Sequence, residues 1–265
     1  MLPFTERTPR VVAARHLTRR AGRDKAGRFL AEGAQAVREA LAHGVVHELF
    51  VTETAAARNP DLLDRADSLG VLVSTVTDKA ADGLSETVTP QGLVAVCDLV
   101  DRSLADALAA RPPLVAVLVG VSDPGNAGTV TRVADAAGAG AVLFAGDTVD
   151  PHNGKCVRAS TGSVFHLPLA RSRDVSEVFS ACRAAGLRLV AADGHASHDL
   201  DAAIDSGSLA VPTAWVFGSE AHGLDESVLS SVDDVVKVPL YGAAESLNLA
   251  TAAAVCLYTS ARAHR

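Results

Sequence analysis

The stretch VVKVPLYGAAESLNLATAAAVCLYTSARAHR, Val235 to Arg265, sets a short β-branched run against a loop holding Gly242 and Ser246 and then an Ala-rich run. It predicts a strand, a loop and a closing helix. Two earlier stretches share that order: LVAVLVGVSDPGNAGTVTRVADAAG (Leu114 to Gly138) and TAWVFGSEAHGLDE (Thr213 to Glu226) each run from an apolar strand through a Gly-bearing polar loop into a helix. Three such loops at the carboxyl ends of strands in one parallel sheet would build one site.

With 265 residues the chain can form one large or two modest domains, each with its own core. The hydrophobic share of 48% is Ala- and Val-rich, and no apolar run approaches the roughly 18 residues that suggest a membrane span. The N-terminal MLPFTERTPRVVAARHLTRR lacks the apolar core of a secretory signal, so a cytoplasmic location is expected. Cys97, Cys156, Cys182 and Cys256 include no C-x-x-C pair; they read as buried small hydrophobes, and no metal site is expected. The net charge of −7 argues against a nucleic-acid partner until it is divided. Residues 1–30 hold Arg7, Arg10, Arg15, Arg19, Arg20, Arg23, Lys25 and Arg28 against Glu6 and Asp24, leaving +6 there and −13 elsewhere. A basic arm on an acidic body suits RNA; a solvated helix face is the plain alternative.

In chain order, residues 10–21 read as a basic helix ended near Gly22, FLAEG (29–33) as a strand, AQAVREALAHG as a helix stopped by Gly44, and VHELFVT as a strand. A helix over 60–69, the strand VLVSTV and the buried strand GLVAVCDLV complete a first α/β unit. Arg111-Pro112-Pro113 is the linker candidate, which places the domains at 1–110 and 111–265. Beyond it, strands at 114–121, 141–145, 187–193, 213–217 and 234–238 alternate with helices at 126–138, 174–186, 225–231 and 247–261, so an α/β fold with a parallel sheet is expected. Gly138-Ala139-Gly140 begins a dinucleotide fingerprint but reaches Leu143 where the third glycine belongs, and no P-loop pattern exists.

Within the motifs, Asn126 stands where a helix N-cap would, and Ser246 is well placed to cap the last helix. Asn248 is a mediocre choice once that cap is filled. Arg132 lies in a helix otherwise lined by Val130, Val133, Ala134 and Ala137, with only Asp135 at i+3 to pair with. Gly218 and Gly223 would let backbone approach a ligand; Glu220 could fix Asn126 and Arg132 across the site.

NAGTVTRVADAAG, FGSEAHGL and VPLYGAAESLNLATA, in that order over about 150 residues, resemble the SpoU (TrmH-like) class of SPOUT methyltransferases. GRFLAEG and TPQGLVAV are similar to the small, ribosomal-protein-like substrate-binding domain that several rRNA-modifying members carry. The resemblance implies S-adenosylmethionine-dependent 2′-O-ribose methylation of RNA, a C-terminal trefoil knot and a homodimer built through the last helix. By motif position it implies catalytic roles for Asn126, Arg132, Glu220, Ser246 and Asn248, and cofactor contacts from Gly218, Ser219, Val238, Leu240 and Leu247. The family commonly has glycine where this chain has Ala221. The N-terminal unit favours 23S rRNA; a tRNA methyltransferase and a catalytically silent ribosome assembly factor are the alternatives.

Overall fold

Pro9 opens the first helix of the structure, a computed structural model described over residues 2–264, at a position where a missing N–H is harmless. The terminal Arg265 of the closing stretch lies outside the described residues. Helices α1 (Pro9–Arg15) and α2 (Arg20–Ala26) flank a short 3₁₀ turn, and Gly27 ends α2 in the left-handed region at φ +64°. The stop expected at Gly22 is not there: a Cβ on Gly22 would meet the His16 carbonyl oxygen at 1.9 Å, so this glycine serves close packing inside α2. Strand β1 (Arg28–Glu32), α3 (Ala34–His43), β2 (Val46–Val51), α4 (Glu53–Arg58), α5 (Pro60–Ser68), β3 (Leu72–Thr75), α6 (Asp78–Asp82) and β4 (Leu93–Asp98) follow. Their sheet runs in the order β1-β4-β2-β3, with β4 antiparallel to both neighbours.

The basic arm is not a free arm. Val11, Ala14 and Leu17 are buried with Leu30, Phe50, Val76 and Leu84 in the core of this unit, and Phe4 donates its N–H to Thr75. Four of the eight cations already have carboxylate partners: Arg10 with Glu48, Arg20 with Asp24, Arg28 with Asp98, and Arg23, only 3% exposed, with Asp150. Arg7, Arg15, Arg19 and Lys25 stay exposed.

After β4 come β5 (Asp101–Arg102), α7 (Leu104–Leu108), β6 (Leu114–Val119), α8 (Pro124–Ala137), β7 (Ala141–Ala145), α9 (Gly154–Ser160), β8 (Leu169–Ser172), α10 (Val175–Ala184), β9 (Arg188–Ala192), β10 (His198–Asp199), α11 (Leu200–Asp205), β11 (Thr213–Phe217), α12 (Glu226–Leu229), β12 (Asp234–Lys237) and α13 (Leu249–Ala263). Eight strands pair in the order β10-β12-β9-β11-β6-β7-β8-β5, all parallel. Leu114–Leu118 and Thr213–Phe217 are buried throughout, as central parallel strands covered on both faces require. Helix α13 lies across β9, β11 and β6 and against α8; the buried Trp215 indole donates to Ser260 Oγ on α13 at 2.8 Å.

The chain divides into two compact units, but not at the proline pair. One takes residues up to Val100 together with Asp150–His166; the other takes Asp101–Val149 and Leu167 onward. Pro112 and Pro113 are built into the second unit. A Cβ on Gly140 would lie 2.3 Å from Pro112 Cβ, and Thr213 N–H donates to the Pro113 carbonyl. Prolines here shape the turn into β6 rather than a linker. The inserted segment 150–166 is tied to the first unit by a buried network. Arg23 donates from Nε and a terminal nitrogen to Asp150 Oδ2 at 2.9 and 2.7 Å, while Asp150 Oδ1 accepts from the His152 N–H at 3.0 Å and faces its Nδ1 at 3.3 Å. Burial alone would raise the Asp150 pKa, but the His152 hydrogen bonds and the Arg23 guanidinium overcome it and hold the carboxyl well below the usual range. Among the described residues no helix is long and apolar enough to cross a membrane. All four cysteines are buried as expected, and burial pushes the Cys182 and Cys256 thiols up to about 12.

Candidate active site

Three loops leave the carboxyl ends of β6, β11 and β12, and their polar side chains meet. The helix caps that frame them are not the ones the sequence suggests. Asp123, not Asn126, caps α8, accepting the Asn126 N–H at 2.8 Å; Asn248, not Ser246, caps α13, its Oδ1 accepting from Ala250 and Thr251 at 2.9 and 3.3 Å. The Asn126 side chain is thereby released from capping.

It is used elsewhere. Asn248 Nδ2 donates to Asn126 Oδ1 at 3.0 Å, and Asn126 Nδ2 donates to Glu220 Oε1 at 2.9 Å. This hydrogen-bonded relay has one possible direction. A carboxylate can only accept, so Asn126 must turn its NH₂ to Glu220 and its oxygen to Asn248; Asn248 then presents its own oxygen to the N–H groups of α13. The three motifs are therefore locked in one polarity, from a helix N-terminus to a carboxylate, although they lie 122 residues apart at the extremes.

Gly218 and Gly223 do not face a ligand first; they face each other. A Cβ on Gly218 would lie 2.4 Å from the Gly223 carbonyl carbon, and Gly223 sits at φ +67°. Ser219 and Gly223 exchange both backbone hydrogen bonds, at 3.0 and 2.9 Å, closing a tight turn that aims Glu220 outward. Ala221 lies within that turn and the fold accommodates it.

Residues 238–248 form the loop between β12 and α13, with Leu240 and Leu247 exposing 40% and 37% of their surface. Tyr241 Oη in this loop donates to Asp201 Oδ2 on α11 at 2.7 Å, a bond that raises the phenol pKa. That tether had no signal in the sequence, since its two residues share no motif. Val238 is half-buried and Ser246 exposed. Arg132 is exposed on α8 and makes none of the hydrogen bonds of the relay. The structure thus joins Asn126, Glu220 and Asn248, and leaves Arg132 and Ser246 open to solvent.

The chain matches the SpoU rRNA Methylase family over residues 113–258 and the RNA 2′-O ribose methyltransferase substrate binding family over residues 30–103. It is 36% identical over 237 residues to the 23S rRNA (guanosine(2553)-2′-O)-methyltransferase RlmP of Bacillus subtilis, with 89% of each chain covered. To the 23S rRNA (guanosine-2′-O-)-methyltransferase RlmB of Vibrio cholerae it is 34% identical over 206 residues, 76% of this chain and 82% of that one. Among solved structures it is similar to an AdoMet-bound rRNA methyltransferase from Sinorhizobium meliloti, with a TM-score of 0.80, 30% identity, and 96% and 95% of the two chains covered. The SpoU methyltransferase AviRb from Streptomyces viridochromogenes, in complex with AdoMet, gives a TM-score of 0.80 and 30% identity over 97% and 98% of the two chains.

Proposed function

The chain belongs to the SpoU rRNA methylase family, and from that premise we propose that it methylates the ribose 2′-hydroxyl of a guanosine in 23S rRNA. The observation that supports this reading most is the one-way relay joining Asn248, Asn126 and Glu220 across three loops. S-adenosylmethionine, the methyl donor of this chemistry, supplies an electrophilic methyl group when bound. The residues fit it: the tight Ser219–Gly223 turn at the end of β11, and partly exposed leucines in the loop after β12, offer backbone and apolar surface to a flat heteroaromatic ring. Gly218, Ser219, Val238, Leu240 and Leu247 would hold it.

Because methyl transfer to a neutral hydroxyl disperses positive charge, apolar surface from Val238 and Leu240 favours the transition state over the charged reactant. The relay contributes by orientation, holding the Asn126 amide in one rotamer beside the strand ends. Arg132 binds an RNA phosphate and stabilises negative charge on the 2′-oxygen. It is not the base, since a guanidinium keeps its proton above about pH 12. The proton passes to water or a phosphate oxygen, and the Ser246 hydroxyl, free of the cap, hydrogen-bonds the ribose.

The first unit binds the rRNA. Within residues 1–30 the cations outside the four ion pairs are Arg7, Arg15, Arg19 and Lys25, and neutralising all four should lower the slope of log affinity against log salt by about 0.7 to 0.9 for each phosphate that is no longer neutralised. Helix α13 presents Val255 and Tyr258 outward, 37% and 53% exposed, on the face opposite buried Ala253 and Leu257, which supports a homodimer through this helix. Light scattering should report about twice 27.2 kDa, and Tyr258→Asp should halve it. The course of α13 back across β9, β11 and β6 supports a trefoil knot, and the protein works in the cytoplasm, where rRNA is made.

The deciding experiment incubates the protein with tritiated S-adenosylmethionine and separate 23S rRNA, 16S rRNA and tRNA, then maps the labelled ribose. Label on a 23S guanosine is expected. Label on tRNA would move the substrate, and no label on any RNA would support the silent assembly factor.

A further inference from the structure

Glu39 and His43 stand one helical turn apart on α3, and His166 closes the 3₁₀ turn Ser163–Phe165 that follows α9. Spacing gives no warning of this set, because His166 is distant in sequence and the chain has no motif of metal-ligand type. In the fold, His166 Nε2 lies 3.1 Å and His43 Nε2 3.8 Å from the same oxygen, Glu39 Oε2, and the three ligand atoms fall within 4.8 Å of one another. It is the one such His/Cys/Asp/Glu group among the described residues. Ligands about 2.0–2.1 Å from a tetrahedral zinc sit roughly 3.3 Å apart, so a small rotamer adjustment of His43 would complete the triangle.

Two further features hold the group in place. The second carboxylate oxygen, Glu39 Oε1, accepts from Gln35 Nε2 at 2.8 Å, which leaves Oε2 facing the imidazoles and sets the carboxylate for one-oxygen ligation. The turn is also pressed against α3 at glycines. A Cβ on Gly162 would sit 2.3 Å from Glu39 Cγ, and one on Gly44 3.0 Å from a Phe165 ring carbon. The backbone supports of all three side chains are therefore fixed before any ion arrives.

We propose that Glu39, His43 and His166 bind one divalent transition-metal cation of the Zn²⁺ class, with water completing the shell. The ion cross-links α3 to the inserted segment 150–166 within the first unit. Two imidazoles and one carboxylate form a donor set suited to Zn²⁺ and poorly suited to Mg²⁺ or Ca²⁺, which prefer oxygen alone. The three side chains are 19%, 52% and 31% exposed, enough for an ion to enter without the unit opening.

The test uses full-length protein without a polyhistidine tag, stripped with a chelator and titrated calorimetrically with ZnCl₂, with Co²⁺ absorption as a second readout. One Zn²⁺ per chain and tetrahedral Co²⁺ bands are expected, together with a higher melting temperature in zinc than in magnesium. His43→Ala and His166→Ala should each abolish the bands, and Gln35→Ala should weaken Zn²⁺ by about tenfold. His195→Ala, at a histidine 99% exposed in the other unit, should change nothing. Where alanine lowers the melting temperature of the metal-free protein, His43→Gln and Glu39→Gln replace it. Zinc binding that survives these substitutions unchanged, or no saturable binding by wild type, would overturn the proposal.

Discussion

Two three-residue polar networks in this molecule use similar side chains to opposite ends. Arg23, Asp150 and His152 are 3%, 5% and 1% exposed, and their hydrogen bonds join a helix of the first unit to the inserted segment. Asn126, Glu220 and Asn248 are half-buried or exposed, and their hydrogen bonds join three loops at strand ends. A buried network must be satisfied or the fold suffers, because each orphaned charge keeps its full desolvation cost. An exposed network has water as a substitute partner and can be altered with little loss of stability. Its directionality is then free to serve orientation.

The comparison can be broken most severely at Asp150. Asp150→Ala leaves a guanidinium buried without its carboxylate, and should cost about 3–5 kcal/mol of unfolding free energy in urea titration; a change near zero would show that the burial is nominal. The folded-state pKa of Asp150 is depressed, so its contribution is complete above the ordinary aspartate value of about 3.9 and fades only as pH falls below it toward the lower folded value. Stability between pH 5 and 8 should therefore owe no slope to this group. Next in size is Arg132→Ala, which should lower turnover about 10²- to 10³-fold while the urea midpoint stays put; near-normal turnover would reduce Arg132 to a surface charge.

Asn248→Asp sharpens the contrast. Aspartate caps a helix as well as asparagine, so stability should move by less than about 0.5 kcal/mol. The substitution replaces the NH₂ that faces Asn126 Oδ1 with an acceptor, so the Asn126 amide must flip away from Glu220 or lose a bond. Turnover should fall about tenfold, the worth of one hydrogen bond at about 1.4 kcal/mol. Equal activity would mean that polarity in the relay is irrelevant. The smallest effect belongs to Ser246→Ala, expected within about 0.5 kcal/mol of wild type; a loss near about 1 kcal/mol would restore it as a cap.

The second sheet was legible because parallel strands buried on both faces announce themselves: Thr213–Phe217 and Ala141–Ala145 fall where the apolar runs end. Strand β8 and segment 150–166 were missed, since LPLARS is short, holds a proline and an arginine, and takes its burial from β7, β5, α7 and α10, which are distant in sequence or not visible in the run itself. The residues that meet at the site were legible as motifs. Which of them caps a helix was not, because Asp123 against Asn126, and Ser246 against Asn248, differ only in where the first turn closes, and local propensity does not resolve two or three residues. The basic arm misled for a related reason: charge is visible in a sequence, whereas a partner such as Asp150, 127 residues from Arg23, is not.

The membership of residues 150–166 in the first unit has a consequence for synthesis on the ribosome. The N-terminal unit cannot finish folding when Val100 emerges, because the carboxylate for Arg23 and the imidazole beside Phe29 arrive about 50 residues later, with His166 later still. At about 5–20 residues per second, the delay is on the order of several seconds. During it Arg23 has the Leu17 and Thr18 carbonyls but no carboxylate partner, and β6, α8 and β7 emerge before Asp150 does. A fragment beginning near residue 108 would carry the inserted segment without its host, and a fragment ending there would carry the host without its closing piece. The order of translation, and not only the final packing, makes these two units one folding problem.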